Sequence, residues 1–387
     1  MLPDLPPTEE LDTPLSAATL QVEEEDTGAE EIHEPFDPAQ IRIETKSMTV
    51  DLLLKRIGAE EIDLMPDFQR EGGLWKPREQ SRLIESLLIR IPIPAFYMDA
   101  TNEERWLVVD GLQRLTVLKR FAIDQSLVLS QLEFLQQYEG KRFKDLPRPM
   151  QRRIEETQVI TYLIQPGTPD EVKFNIFKRI NTGGLPLSSQ EIRHALNQGT
   201  ATKLLGELTA MPDFLRATAG GIQDRRMSDR EVALRFLAFA MTSHKEYKTP
   251  DLDGFLHRQM RTLNKMTEAE HAALRNRFAR AMRLAYDIFG NDAFRKRYQA
   301  TDQRKPINKA LFEAWSVNLD ALSDSEARIL IERRADLRKE LMSIMNQRDF
   351  DAAVTQGTGD IGKVRVRFER IEHIIHKVLN DQIPAST

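Results

Sequence analysis

Asp110, Gly111, Gln113 and Arg114 stand together in the stretch Trp106 to Leu118, WLVVDGLQRLTVL. A carboxylate, a residue without a side chain, a neutral amide and a fixed-charge guanidinium fork, so closely spaced, suit the recognition of an anion. Asp110 is the candidate metal-holding group, or the group that orients Arg114. The plainer alternative is structural: Asp110 caps a helix and pairs with Arg114 four positions on. Either role needs a particular local fold. Trp106 to Val109 has strand length and β-branched content, and Leu112, Leu115 and Leu118 recur at helical spacing, so the pattern predicts strand, tight turn, helix. Gly111 permits a backbone conformation or close approach that a side chain would block. The amides opening the helix would attract phosphate.

The elements that position this bend follow in order. Ile41 to Ile43 begins a strand, Val50 to Ile57 reads as a short helix after Thr49, and Glu61 to Met65 is a strand stopped by Pro66. A polar loop, Asp67 to Trp75, carries two glycines and an aromatic anchor. Pro77 suits a first helical turn, with Leu83, Ile84, Leu87 and Leu88 on one buried face. A strand over Ala95 to Met98 precedes the central element. Pro147 to about Glu156 is a helix, Val159 to Ile164 a strand that completes the sheet, and a further helix starts near Pro169. Ser188 and Glu191 form a capping box for a helix over Ser189 to Gln198. Beyond residue 200 the pattern is helix after helix, with Ser228–Glu231, Thr267–Glu270 and Ser323–Glu326 repeating the same start signal.

Three boxes in one order, Phe68-Gln69-Arg70, Leu83-Ile84-Glu85-Ser86-Leu87 and Val109-Asp110-Gly111-Leu112-Gln113-Arg114, resemble those of the ParB/sulfiredoxin-like fold. More closely, the chain resembles the N-terminal domain of GmrSD-type restriction enzymes, whose hallmark is Asp-Gly-Gln-Gln-Arg followed by Leu-Thr. Phe177 to Gly184 with Leu187 and Glu191 is similar to that family's second signature. The resemblance implies an α+β nucleotide-handling domain over residues 41–200; the helical pattern beyond it and the acidic composition before it add an all-helical domain over 201–387 and an acidic tail at 1–40. It implies a nucleoside triphosphate and Mg²⁺ as cofactors, with triphosphate hydrolysis, in a system defending against modified foreign DNA. On this reading Asp110, Gln113 and Arg114 are the catalytic set. Gln69, Arg70, Gly111, Asn181 and Glu191 handle the nucleotide, and Asp110 holds the metal. The first Gln of the hallmark is Leu112 here. Either Leu112 packs into the helix face while Gln113 and Arg114 keep the polar work, or catalysis is weakened and binding retained.

Composition narrows the field. The chain has 387 residues, no cysteine and seven histidines, which excludes disulfides, thiolate nucleophiles and Cys-ligated zinc. No apolar run approaches the ~20 residues that span a bilayer, and no secretory pattern opens the chain, so a cytoplasmic protein without membrane contact is expected. Residues 1–40 hold twelve Asp or Glu and no Lys or Arg, which leaves the rest of the chain at +7 although the whole carries -5. The tail is expected to be disordered, solubilising the chain or docking a basic partner. Arg225, Arg226 and Arg230, with Arg295-Lys296-Arg297 and Lys363-Arg365-Arg367, are candidate DNA contacts. Gly357 to Lys363 has P-loop spacing, but Val364 stands where the metal-binding hydroxyl belongs, which sets that motif aside. No His-Asn-His nuclease module is evident, so any cutting activity is expected in a separate nuclease subunit. Two rivals remain: a DNA-binding or scaffold module without catalysis, and a ParB-like enzyme that nicks DNA by itself.

Overall fold

Alternation of faces along one interior strand builds the first unit. In β4 (Trp106–Asp110), Trp106 and Val108 enter one apolar cluster and Leu107 and Val109 the other. The first cluster is completed by α1 (Val50–Gly58), α2 (Pro77–Leu88) and α3 (Leu112–Leu118). The second is completed by α5 (Asp170–Ile180) and α6 (Ser189–Leu196). A sheet buried on both faces in this way reads as a continuous apolar run, as Trp106 to Val109 does. The computed structural model describes residues 22–23, 41–64, 75–180, 187–220, 222 and 226–381. The chain divides into two units, Glu34–Thr202 with Arg225–Met227, and Met1–His33 with Lys203–Asp224 and Ser228–Thr387.

The sheet has five strands in the order β1-β5-β3-β4-β2, with β1 Ile43–Thr49, β2 Ile62–Asp63, β3 Phe96–Asp99 and β5 Gln158–Ile164. β1 and β5 are antiparallel, β5 and β3 parallel, β3 and β4 antiparallel, and β4 and β2 parallel. β5 therefore lies inside the sheet rather than at its margin. β1 runs through Glu44 to Ser47, past the Ile41–Ile43 expected from pattern; it is an exposed edge strand, where one flank needs no apolar side chains. A register shift falls between Tyr97 and Met98, so Tyr97 opposes Asp110 where β4 ends.

Polar residues on the buried face of α2 fasten the chain that follows the central helix. Glu85 accepts the consecutive backbone N–H groups of Glu133, Phe134 and Leu135, at 3.0, 2.7 and 2.8 Å. Ser81 accepts from Ser130 N at 3.0 Å. The LIESL box is thus a packing and clamping element, with Leu83, Ile84 and Leu87 in the core.

The second unit is helical among its described residues, from α7 (Thr200–Thr209) to α16 (Ile361–Asn380). Its centre is α9 (Ser228–Met241) and α12 (Lys309–Asp320), each buried around most of its circumference. Phe236 packs on Phe278, and Phe278 on Phe214, with ring centroids 5.2 and 5.8 Å apart. Capping boxes at Thr267–Glu270 and Ser323–Glu326 start their helices as the sequence predicts.

Within the acidic tail the described residues are Val22 and Glu23. At Val22 it forms a parallel bridge to Ile307, and Glu23 pairs with Lys296 at 2.6 Å and accepts from Asn308 Nδ2 at 2.9 Å. These contacts lie within the helical unit, of which this part of the chain is a member.

Candidate functional site

The predicted strand, turn and helix are present, and Gly111 is the residue that permits them. It sits at φ 97°, where a side chain is strained, and a Cβ there would lie 2.3 Å from Phe96 Cδ1. α3 opens at Gly111 without a side-chain cap. The capping role weighed for Asp110 is therefore not the one it has; its carboxylate takes the Gly111 N–H and pairs with Arg114 at 2.7 Å. Burial pushes the Asp110 carboxyl above its ordinary value, and the Arg114 charge and hydrogen bonds only partly offset this. Burial likewise lowers Arg114, against the pull of Asp110. Both shifts run toward neutrality because withdrawal from water outweighs the pair's attraction.

Arg114 does not extend as an open fork. Its guanidinium lies over the Phe96 ring, 4.7 Å from the centroid, and donates to the Pro94 and Ala95 carbonyls as well as to Asp110. It ties the end of β4 to the Pro94-Ala95 turn that leads into β3. Leu112 is buried in the core cluster and also lines the cavity at this bend.

A cavity of about 580 Å³ opens at this bend. One side is apolar, with Leu83, Ile91, Pro92, Ile93, Val108 and Leu112. Glu79, Arg82, Asp110 and Gln113 bring polar groups, Gly111 and Arg114 lie in the wall, and Trp75 is its one aromatic residue among the described residues. Gln113 accepts the Trp75 backbone N–H through Oε1 at 3.3 Å. Its Nε2 makes no hydrogen bond to another described residue. Arg82 pairs with Glu133, while its Nε is buried with no partner among the described residues. Pattern reading passed over Arg82 and Trp75: a charge on an amphipathic helix is ordinarily solvated, and Trp75 reads as a loop anchor. Their only signal was proximity in sequence to the first two boxes.

The other predicted residues are divided. Gln69, Arg70, Asn181 and Arg225 lie outside the described residues. Glu191 closes the α6 capping box, receiving Ser188 N, and also accepts from Arg226 at 3.3 Å; it does not line the cavity. Arg226 is exposed in the α/β unit, and Arg230 lies in the first turn of α9 in the helical one. Arg295, Lys296 and Arg367 are buried and engaged within the protein, which removes them as surface contacts for DNA. Lys363 of the P-loop-like stretch folds back onto the Gln356 carbonyl at 2.6 Å, and Asp360 caps α16.

Among the described residues no three His, Asp or Glu side chains converge to hold a metal ion. That donor set does not suit an ion held by protein alone. It is compatible with Mg²⁺ carried by phosphates, which needs one or two carboxylates from the protein, and Asp110 is the carboxylate at the bend. Among the described helices none is long and apolar enough to cross a membrane.

A mixed sheet layered between helices, with a polar bend and a cavity where β4 ends, defines a mixed α/β domain. The comparisons make this specific: residues 51–197 match the family model of the GmrSD restriction endonuclease, N-terminal domain. The matched residues fall within the α/β unit. Comparison with curated proteins gave no match, and neither did comparison with solved structures.

Proposed function

We propose that the α/β unit binds a nucleoside triphosphate in the cavity at the DGLQR bend. The chain would serve as the nucleotide-dependent component of a restriction or defence assembly directed at modified DNA. The observation that carries this reading is the cavity of about 580 Å³ at the Asp110–Arg114 bend, of a size ordinary for a small-molecule site. Its mixture of apolar wall and polar groups suits a ligand with a flat apolar part and an anionic part. Gln113, through its amide N–H groups, and Arg82 are the donors assigned to the phosphates. Gly111 allows close approach, and Asp110 contributes the carboxylate for a magnesium–nucleotide complex. Arg114 is assigned to holding the bend rather than to touching the nucleotide. The family match supports the restriction context, and cleavage of DNA is assigned to another subunit.

The test is calorimetric titration of the full chain with ATP, GTP, CTP and UTP, with and without Mg²⁺, followed by phosphate-release assays. Binding of at least one nucleotide is expected, weakened about 10- to 150-fold in Arg82→Ala, the range for a charge-assisted hydrogen bond. No binding of any nucleotide to the wild type rejects the proposal. Mg²⁺-dependent nicking of plasmid by the isolated chain, lost in Asp110→Ala, would replace it with the nicking enzyme.

A further inference from the structure

Trp75 is fixed from both sides of its own peptide backbone. Its N–H is received by Gln113 Oε1 at 3.3 Å, and its carbonyl accepts from Gln80 Nε2 at 2.5 Å. Gln80 is buried in α2, and its own Oε1 accepts from Arg120 NH1 at 2.9 Å. Arg120 leaves from Lys119–Ile123, a short wider-wound segment that continues α3. A chain of hydrogen bonds from two helices therefore holds in place the backbone of the one aromatic residue that lines the cavity among the described residues. Of the three tryptophans, Trp106 and Trp315 are buried core residues, whereas Trp75 is half-buried and lines the cavity.

Resting on the nucleotide reading above, we infer that Trp75 is the base-binding residue of this site, its indole stacking on the nucleobase while Gln113 and Arg82 take the phosphates. A fixed backbone suits this role because stacking then orders only the Trp75 side chain and not the chain that carries it. Stacking is tolerant of base identity, so discrimination among bases has to come from polar groups rather than from Trp75. Gln113 acquires a double assignment: its carbonyl end positions Trp75 and its amide end meets the phosphates. That dual use explains why a neutral amide, with donor and acceptor on one group, stands at this position.

The experiment measures tryptophan emission and calorimetric affinity of the full chain with each nucleoside triphosphate, and with inorganic tripolyphosphate as a ligand lacking a base. Nucleotides are expected to quench emission in the wild type, and tripolyphosphate is not. Trp75→Phe should keep nucleotide affinity within about threefold and abolish the quenching, which remains informative even if a smaller residue prevents folding. Trp75→Ala should weaken nucleotide binding about 5- to 150-fold, the range for loss of one base–aromatic stack, and change tripolyphosphate affinity less than about twofold. If nucleotides bind by calorimetry but Trp75→Ala is unaffected, or quenching persists in Trp75→Phe, the base assignment is overturned and the nucleotide reading stands. If the wild type binds no nucleotide, both are overturned.

Discussion

Replacing Gly111 with alanine separates two effects that meet at one atom. At φ 97° an alanine sits in the left-handed region, which costs roughly 1–2 kcal/mol for a residue with a Cβ. The Cβ would also lie 2.3 Å from Phe96 Cδ1, 2.9 Å from Cε1 and 3.2 Å from Arg114 NH2. Phe96 is fully buried, so its ring has to move within a packed core, at a cost of about 1–3 kcal/mol. Gly111→Ala should therefore lower stability by about 2–5 kcal/mol. Chemical denaturation followed by far-UV circular dichroism measures it, with a second probe to resolve the α/β unit from the helical one. In the double variant with Phe96→Leu, the overlap is relieved and the backbone strain is not. The coupling between the two substitutions should therefore be about 1–3 kcal/mol favourable. A loss below about 0.5 kcal/mol for Gly111→Ala, or strictly additive effects, would refute the claim that close approach and left-handed backbone together require glycine here.

Arg114→Lys keeps the charge but loses the planar fork shared among Pro94, Ala95 and Asp110; Arg114→Ala, leaving Asp110 half-buried without its partner, should cost about 3–5 kcal/mol in thermal or urea unfolding. Loss of nucleotide function in that variant would then track unfolding rather than chemistry. Burial raises the folded-state Asp110 carboxyl above its unfolded value, so the native state holds the proton longer as pH rises. The stability of the wild type relative to Asp110→Asn should accordingly fall as pH climbs through the carboxylate range and level off above it, measured by denaturant unfolding at about pH 4 and about pH 7. In the helical unit, Glu313 is fully buried between Arg235 and Arg367; Glu313→Ala takes the carboxylate from buried Arg367 and leaves Arg235 to Glu231, and should cost about 3–5 kcal/mol by the same assay. Glu23→Ala removes a carboxylate partner of buried Lys296 and should destabilise the helical unit by about 1–3 kcal/mol, whereas an unattached tail would give no change.

The elements of the α/β unit were legible because their signals are local. The apolar, β-branched run Trp106 to Val109, the leucine spacing of α3, Pro77 at the start of α2 and the Ser188–Glu191 capping box each act within a few residues of one another. β1 was harder to see, since an exposed edge strand need not alternate. The composition of the bend was equally plain, as was the need for glycine between a strand and a helix.

What those side chains do could not be read in the same way. Arg114 is drawn as an anion clamp by its neighbours in sequence, yet Pro94 and Ala95, about twenty positions earlier, take its donors. Glu85 looks like a charge on a helix until the amides of Glu133 to Leu135 arrive to bind it. Arg367 and Lys296 read as solvated cations, but Glu313 and Glu23, distant along the chain, bring them inside. Charge and amide groups act through space over a few ångströms, and which partners come that close depends on how whole layers pack. Periodicity and turn chemistry depend only on the nearest few residues, so the chain's order revealed the scaffold and the place of the cavity's bend, while the packing of distant segments assigned each polar group its partner.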